Sequence, residues 1–339
     1  MVTFSRRHFL LLAAAAPLAA MRSVNPHGKI NTVNGQIPSR KLGKTLAHEH
    51  VLVDFIGAGQ TSESRWDKLE VVNRMAPYLA EAKTYGVKTI VECTPVFLGR
   101  DARMLKMLSD KSGIQIITNT GYYGAVNNKY LPPWAFTETA EQLSQRWIDD
   151  FEYGIDGSNI RPGFIKISVD APSSGISELH KKLVRAAGLT HLKTGMVIYS
   201  HTGPGAAAFE QIEILKELKI HPSAFVWVHA QVEKDKSMFV RAAKSGAWVS
   251  LDGITGDFDD YADSISLLKN EGLLKHVLIS HDAGYYRPGE KDGGEIKGYT
   301  DIFKELIPRL TAKGFTKKDI DRLLIDNPAE ALTLGVRKI

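Results

Sequence analysis

Eight short apolar runs, each followed by a stretch with helical periodicity, limit what this chain can fold into. The runs are Leu46–Val53, Thr89–Cys93, Gln115–Asn119, Phe164–Val169, Met196–Ser200, Phe225–Val228, Ala247–Leu251 and Val277–Ser280. Apolar runs of that length read as strands. Between them, Leu69, Val72, Met75, Ala76 and Leu79 mark one helical stripe, and Phe209, Ile212, Leu215 and Leu218 mark another. Gly86, Gly113, Gly195, Gly246 and Gly272 stand just past such stretches, where a helix C-cap favours glycine. Eight strands alternating with helices predict an α/β fold, a (β/α)8 TIM barrel over residues 45–335. An open doubly wound sheet is the alternative. It calls for a glycine-rich phosphate loop after the first strand, and His48-Glu49-His50 stands there instead.

Composition adds exclusions. The chain has 339 residues, enough for one large α/β barrel. Its net charge of +5 comes from scattered basic residues, so neither a nucleic-acid partner nor a polybasic membrane contact is expected. Cys93, the single cysteine, rules out an internal disulfide and a cysteine-rich zinc site.

Residues 1–20 read as an export signal. Ser5-Arg6-Arg7-His8-Phe9-Leu10 leads into an apolar run too short to span a bilayer, with small residues at Ala19-Ala20. The paired arginines suggest the twin-arginine route. The expected mature protein is soluble, periplasmic or secreted, without a stable membrane anchor. Residues 21–44 are turn-rich and should cover one end of the fold, and 336–339 form a short tail.

Barrel enzymes carry their active sites at the C-terminal ends of the strands. Here those ends hold His48, His50, Glu92, Asn119, Lys166, His201, His229, Asp252 and Asp282. Strand alternation puts His48 and His50 on one face and Glu49 on the other. A histidine pair at a strand end can simply pack. Four histidines and an aspartate at strand ends of one barrel suit zinc, manganese, iron or cobalt. Lys166, flanked by Phe164, Ile165 and Ile167, faces a heavy desolvation cost if charged. It either pairs with an acid such as Asp282, or has taken up carbon dioxide as a bridging carbamate.

The set of His48-x-His50 on strand 1, Lys166 on strand 4, His201 and His229 on strands 5 and 6, and Asp282 on strand 8 resembles the phosphotriesterase family of the amidohydrolase superfamily. Thr45-Leu46-Ala47-His48-Glu49-His50, Ser280-His281-Asp282-Ala283-Gly284-Tyr285-Tyr286 and Asp326-Asn327-Pro328-Ala329 extend the likeness. The resemblance implies a binuclear centre of two divalent metal ions, zinc foremost. His48, His50 and Asp282 would hold the buried ion, and His201 and His229 the more exposed one. Carbamylated Lys166 and a hydroxide would bridge them. Asp282 would take up the proton released in the attack.

Two positions depart from the family's branches. Val232 stands where phosphotriester-cleaving relatives carry an aspartate, with Glu233 beside it. Gly253 follows Asp252 where lactone-cleaving relatives carry an arginine. The expected reaction is hydrolysis of an ester-like bond in a small molecule, a lactone or carboxylic ester ahead of a phosphotriester. The competing readings are a metal-dependent deoxyribonuclease, which calls for glutamate at Lys166, and an exported metal- or solute-binding barrel without turnover. Tyr122 and Tyr123, in an aromatic loop with Tyr130, Trp134 and Phe136, are expected at the substrate. So are Tyr285 and Arg287, in a glycine-rich segment over 283–298 that reads as a mobile loop, where Arg287 either meets a substrate anion or ties the loop down. A homodimer is one option for the assembly.

Overall fold

The computed structural model describes residues 28–339. The export-signal reading of residues 1–20 and the first part of the cover segment lie outside the described residues. Strands β1 (Lys29–Thr32) and β2 (Gly35–Pro38) form an antiparallel hairpin. The eight apolar runs appear as β3 (Lys44–Glu49), β4 (Val87–Glu92), β5 (Gln115–Ile117) with β6 (Asn119–Thr120), β7 (Phe164–Ser168), β8 (Val197–His201), β9 (Phe225–Val228), β10 (Trp248–Leu251) and β11 (Val277–Ile279). Thr118 splits the third run into two short pieces. β3, β4 and β5 pair in parallel, and β6 to β11 pair in parallel in sequence order. At the far edges, Asp282 N donates to His48 O at 3.1 Å and His50 N to Ala283 O at 2.9 Å. The segment after the last strand is therefore bonded to the end of the first.

Helices α1 (Lys68–Thr84), α2 (Ala102–Ser112), α3 (Trp134–Thr137), α4 (Ala140–Tyr153), α5 (Glu178–Thr194), α6 (Gly205–Glu217), α7 (Ser237–Ser245) and α8 (Phe258–Asn270) lie between the strands. Gly113, Gly195 and Gly246 are left-handed C-caps, as their positions predict. In α1 the buried stripe is Val71, Val72, Met75, Leu79 and Ala82, and Leu69 is exposed. Leu69 sits in the first turn, just after the N-cap Asp67, before the helix settles onto the sheet.

Strands β3, β4, β5 and β7 to β11 divide their side chains between two apolar clusters, as a pleat covered on both faces requires. Ile90, Ile116, Ile165, Ile198, Trp227, Val249 and Ile279 pack with the helices. Val91, Ile117, Phe164, Val197, Tyr199, Val226, Trp248 and Leu278 form a second cluster with Ile30, Leu42, Ala329 and Leu332. The hairpin and the C-terminal helix over 327–332 thus close the end where the strands begin. Lys166 and His201 follow Phe164 and Tyr199 by two residues, which carries them along the same face of the sheet toward the other end.

The tail pairs with the chain before β9. His221 N donates to Arg337 O at 3.0 Å and Ile339 N to Lys219 O at 3.1 Å. Buried His191 accepts from Arg337 N at 2.9 Å through Nε2, and its Nδ1 donates to Met196 O at 2.7 Å. Burial, aided by the Arg337 charge, holds His191 at about 4, below its ordinary 6.5. The unfolded chain then binds the proton more readily across that window, so stability present above pH 6.5 declines toward pH 4. The protonated ring cannot accept from Arg337. The protection of the Arg337 and Ile339 amides, corrected for the slower intrinsic exchange at lower pH, should therefore fall below pH 6. Unchanged protection down to pH 4 would contradict this.

Candidate metal centre

Three histidines are each anchored through Nδ1, two of them to one carboxylate and the third to a hydroxyl. His48 Nδ1 donates to Asp252 Oδ2 at 3.1 Å, and His229 Nδ1 to Asp252 Oδ1 at 2.7 Å. His50 Nδ1 donates to Thr94 Oγ1 at 2.7 Å, and Thr94 passes its own hydrogen to Glu92 Oε1. A carboxylate only accepts, so these partners leave the Nε2 lone pairs of His48 and His229 free, as metal-ligating histidines require. All three Nε2 atoms face Asp282, at 3.6 Å from His48, 3.1 Å from His50 and 4.0 Å from His229. His48, His50 and Asp282 bring ligand atoms close enough for one ion, and so do His48, His229 and Asp252.

His201 lies edge-on to His229, with ring centroids 4.3 Å apart, and the Tyr123 hydroxyl is 3.1 Å from its ring nitrogens. Lys166 is fully buried, and its Nζ has no hydrogen-bond partner among the described residues. A buried amine left unpaired is costly, and a group that would pair it fits this place. The structure gives it no ion pair with Asp282, the first of the two readings above.

Strand geometry explains the convergence. The register of β3 against β4 shifts between Leu46 and Glu49. Ala47 therefore joins the inner cluster while His48 and His50 still reach the same site. His229 and Asp282 have left-handed backbones, with φ of 61° and 51°. Such torsions in residues with side chains concentrate where function fixes their direction. Gly121 lies so close to Lys166 that a Cβ would sit 2.1 Å from its carbonyl oxygen, and Gly284 approaches the His50 carbonyl in the same way.

Burial dominates the electrostatics. It lowers His48 to about 3, with Lys166 adding to the effect. Burial and the His229 and Lys166 charges hold His201 well below its ordinary value. Burial also opposes the charged forms of His229 and Asp282, but close partners outweigh it. Asp252 raises His229, while the His50 hydrogen bond and the three histidines hold Asp282 far below the carboxylate range. Near neutral pH the site thus offers unprotonated His48 and His201 beside an ionised carboxylate.

The four expected substrate residues separate. Tyr285 donates to Asp282 Oδ1 and stacks on His50 with centroids 4.9 Å apart, and Tyr123 stands at His201. Val53, Leu98 and Tyr130 complete the apolar cluster around these two tyrosines. Tyr122 packs instead among Phe97, Trp134 and Trp147, and its hydroxyl accepts from Trp134 Nε1. Its neighbour on the pleat points the other way, so only one of the pair can face the histidines. Arg287 donates to Glu290 and to the Glu295 carbonyl, which ties down the glycine-rich loop it was expected to arm. Paired backbone bonds between Gly284 and Lys297 close the base of that loop.

Glu49 has a role that alternation alone did not reveal. Facing away from the histidines, it accepts from Ser280 Oγ at 2.7 Å, His281 Nδ1 at 2.7 Å, His281 N at 3.1 Å and Ala283 N at 3.0 Å. It fixes the backbone on both sides of Asp282. Glu49→Ala strands these buried donors, so denaturant unfolding should show a loss of about 3–5 kcal/mol. A loss below about 0.5 kcal/mol, typical of an ordinary surface position, would contradict that role. Asp252 and Thr94 were equally hidden as partners, because each meets its histidine only through folding.

A parallel α/β scaffold with histidines, a carboxylate and a buried amine gathered at its strand ends defines a metal-dependent hydrolase. The sequence model of the phosphotriesterase family matches residues 28–332. The chain belongs to the phosphotriesterase family. A phosphotriesterase homology protein of Escherichia coli is 28% identical over 293 residues, covering 85% of this chain and 97% of that one. An aryldialkylphosphatase of Saccharolobus solfataricus is 27% identical over 304 residues, covering 86% and 95%. An N-acetyltaurine hydrolase of Xenopus tropicalis is 26% identical over 350 residues, covering 90% and 98%. The crystal structure of the E. coli phosphotriesterase homology protein, with phosphate in its active site, superposes with a TM-score of 0.73 at 27% identity. It covers 86% of this chain and 99% of that chain. No described helix is long and apolar enough to cross a membrane.

Proposed function

We propose that this chain is an exported (β/α)8-barrel hydrolase that holds two divalent metal ions, zinc first, and cleaves lactones or other carboxylic esters. The carrying observation is the convergence of three anchored imidazoles on Asp282 beside the unpaired Lys166 amine. His48, His50 and Asp282 would hold one ion, His201 and His229 the other, with Lys166 bridging as a carbamate. Bound there, the ions would acidify water and polarise the bond under attack. Asp282 accepts the proton released as water attacks, and Tyr285 holds its Oδ1 in place. Tyr123, Tyr130, Tyr285, Val53 and Leu98 provide an apolar wall for the acyl part of the substrate. The backbone bonds between His48, His50 and the segment after β11 support reading the sheet as a closed barrel.

Carboxylic esters rank above phosphotriesters because lactones are common natural substrates and phosphotriesters are few; the residues weigh against both, since Gly253 also lacks the expected arginine. Val232 has no acid to offer, and Glu233 is spent on Gly205 N at 2.8 Å and Asp235 N at 2.8 Å. The test joins metal analysis to a hydrolysis screen of lactones, aryl esters, phosphotriesters and N-acyl amines, before and after chelation. The expected result is two ions per chain, lactone or aryl ester turnover, loss on chelation and recovery with zinc, manganese or cobalt. Phosphotriester or amide turnover far above all ester turnover would overturn the ranking. Export predicts a mature N-terminus just past Ala20, and an N-terminus at Met1 in the secreted or periplasmic fraction would refute cleavage.

A further inference from the structure

Asp252 touches a histidine from each proposed metal position. It is fully buried at the end of β10. Its Oδ2 accepts from His48 Nδ1 and, at 2.6 Å, from Ser250 Oγ. Its Oδ1 accepts from His229 Nδ1, from His229 N at 3.1 Å and from Gln231 Nε2 at 3.2 Å. Gln231 Oε1 in turn accepts from Asp252 N at 3.2 Å. The carboxylate plane is thus held by donors on both oxygens. The two imidazoles it anchors lie with centroids 5.0 Å apart and planes 33° from each other.

We propose that Asp252 is a positioning residue that sets His48 and His229 in the same tautomer and so couples occupancy of the two metal positions. The inference rests on the reading of these histidines as ligands of two ions. A rigid planar group shared by two rings cannot follow one ring without pulling away from the other. An ion that fixes the Nε2 of one histidine therefore fixes the carboxylate and orients the second ring in advance. The second ion should bind more tightly than the first by a factor within the usual range for coupled sites, about 5–150.

Substituting one oxygen makes the prediction asymmetric. In Asp252→Asn, the single amide oxygen suits the side with three donors, at His229 and Gln231. The amide nitrogen then faces His48 Nδ1 and Ser250 Oγ. Ser250 can turn to accept, but His48 must give up its Nδ1 hydrogen and carry it on Nε2, where the lone pair for the metal was. One position survives and the other weakens.

The test is histidine ring ¹⁵N–¹H correlation spectroscopy on metal-free full-length protein, followed by zinc titration. Wild type should carry hydrogen on Nδ1 of both His48 and His229 and take up two ions cooperatively. Asp252→Asn should move the His48 hydrogen to Nε2, keep one ion, and weaken the other by about 10–100-fold. Ser250→Ala removes a donor to Oδ2 but spares both histidine bonds, so both tautomers should stay as in wild type. At a pH where both rings are neutral, an Nε2 hydrogen on either ring of wild type overturns the proposal, even should Asp252→Asn fail to fold. So does an Asp252→Asn protein with wild-type tautomers and two wild-type affinities, or the same tautomer change in Ser250→Ala. Wild type that binds no divalent ion would sink the functional reading instead, while the metal-free tautomers still decide the clamp.

Discussion

Lys166→Met will separate stability from activity. In the metal-free protein the Lys166 amine is buried without a partner, and an unpaired buried polar group costs about 1–3 kcal/mol. Methionine fills similar space with no such demand. Chelated Lys166→Met should therefore unfold at higher denaturant than chelated wild type, by about that amount. Its hydrolysis should fall by more than the ~10–100-fold typical of losing a residue behind a metal ligand, together with its metal content. Measuring both on one preparation is decisive. Full metal content and full turnover would remove Lys166 from the site. A destabilised metal-free variant would mean that its amine is paired after all. The trade is the one expected where a site is kept at the expense of the core.

Asp282→Asn tests the carboxylate without disturbing the backbone. Asn tolerates the left-handed conformation that Asp282 adopts at φ 51°, so the segment held by Glu49 should survive. The amide cannot take a proton from attacking water. It also presents a nitrogen or an oxygen, not two anionic oxygens, to the three Nε2 atoms. The expected loss in kcat is about 10²–10⁴-fold, the usual contribution of a positioned general base, in a folded but less stable protein, because the partners that hold Asp282 ionised lose its charge. A kcat within a few-fold of wild type would show that another group takes the proton.

Much of this was legible in the chain. The strand runs follow from apolar length, because a parallel strand covered on both faces has no polar side to interrupt it. Lys166, His201, His229 and Asp282 stood out because a polar residue at the end of such a run needs a reason. What stayed hidden depends on folding. Glu49 binds a segment more than two hundred residues away, Asp252 meets His48 across a similar length of chain, and Thr94 finds His50 across neighbouring strands. The strict alternation expected of β3 breaks at its register shift, which no periodicity announces. Tyr122 and Tyr123 are indistinguishable by composition, and only the pleat decides which faces the site. Arg287 could by sequence meet a substrate anion or tie its loop down, and only the fold shows that Glu290 and the Glu295 carbonyl on that loop hold it.

In the proposed centre, His48, His50 and Asp282 would share one ion, and His201 and His229 a second, with Lys166 between them. Anomalous diffraction at the zinc edge, from crystals of active zinc-loaded protein, tests this directly. Two anomalous peaks are expected at the strand ends, one at each set of side chains, with density for a carboxyl group extending from Lys166 Nζ. A fully active crystal with a single peak, or with none, would contradict it.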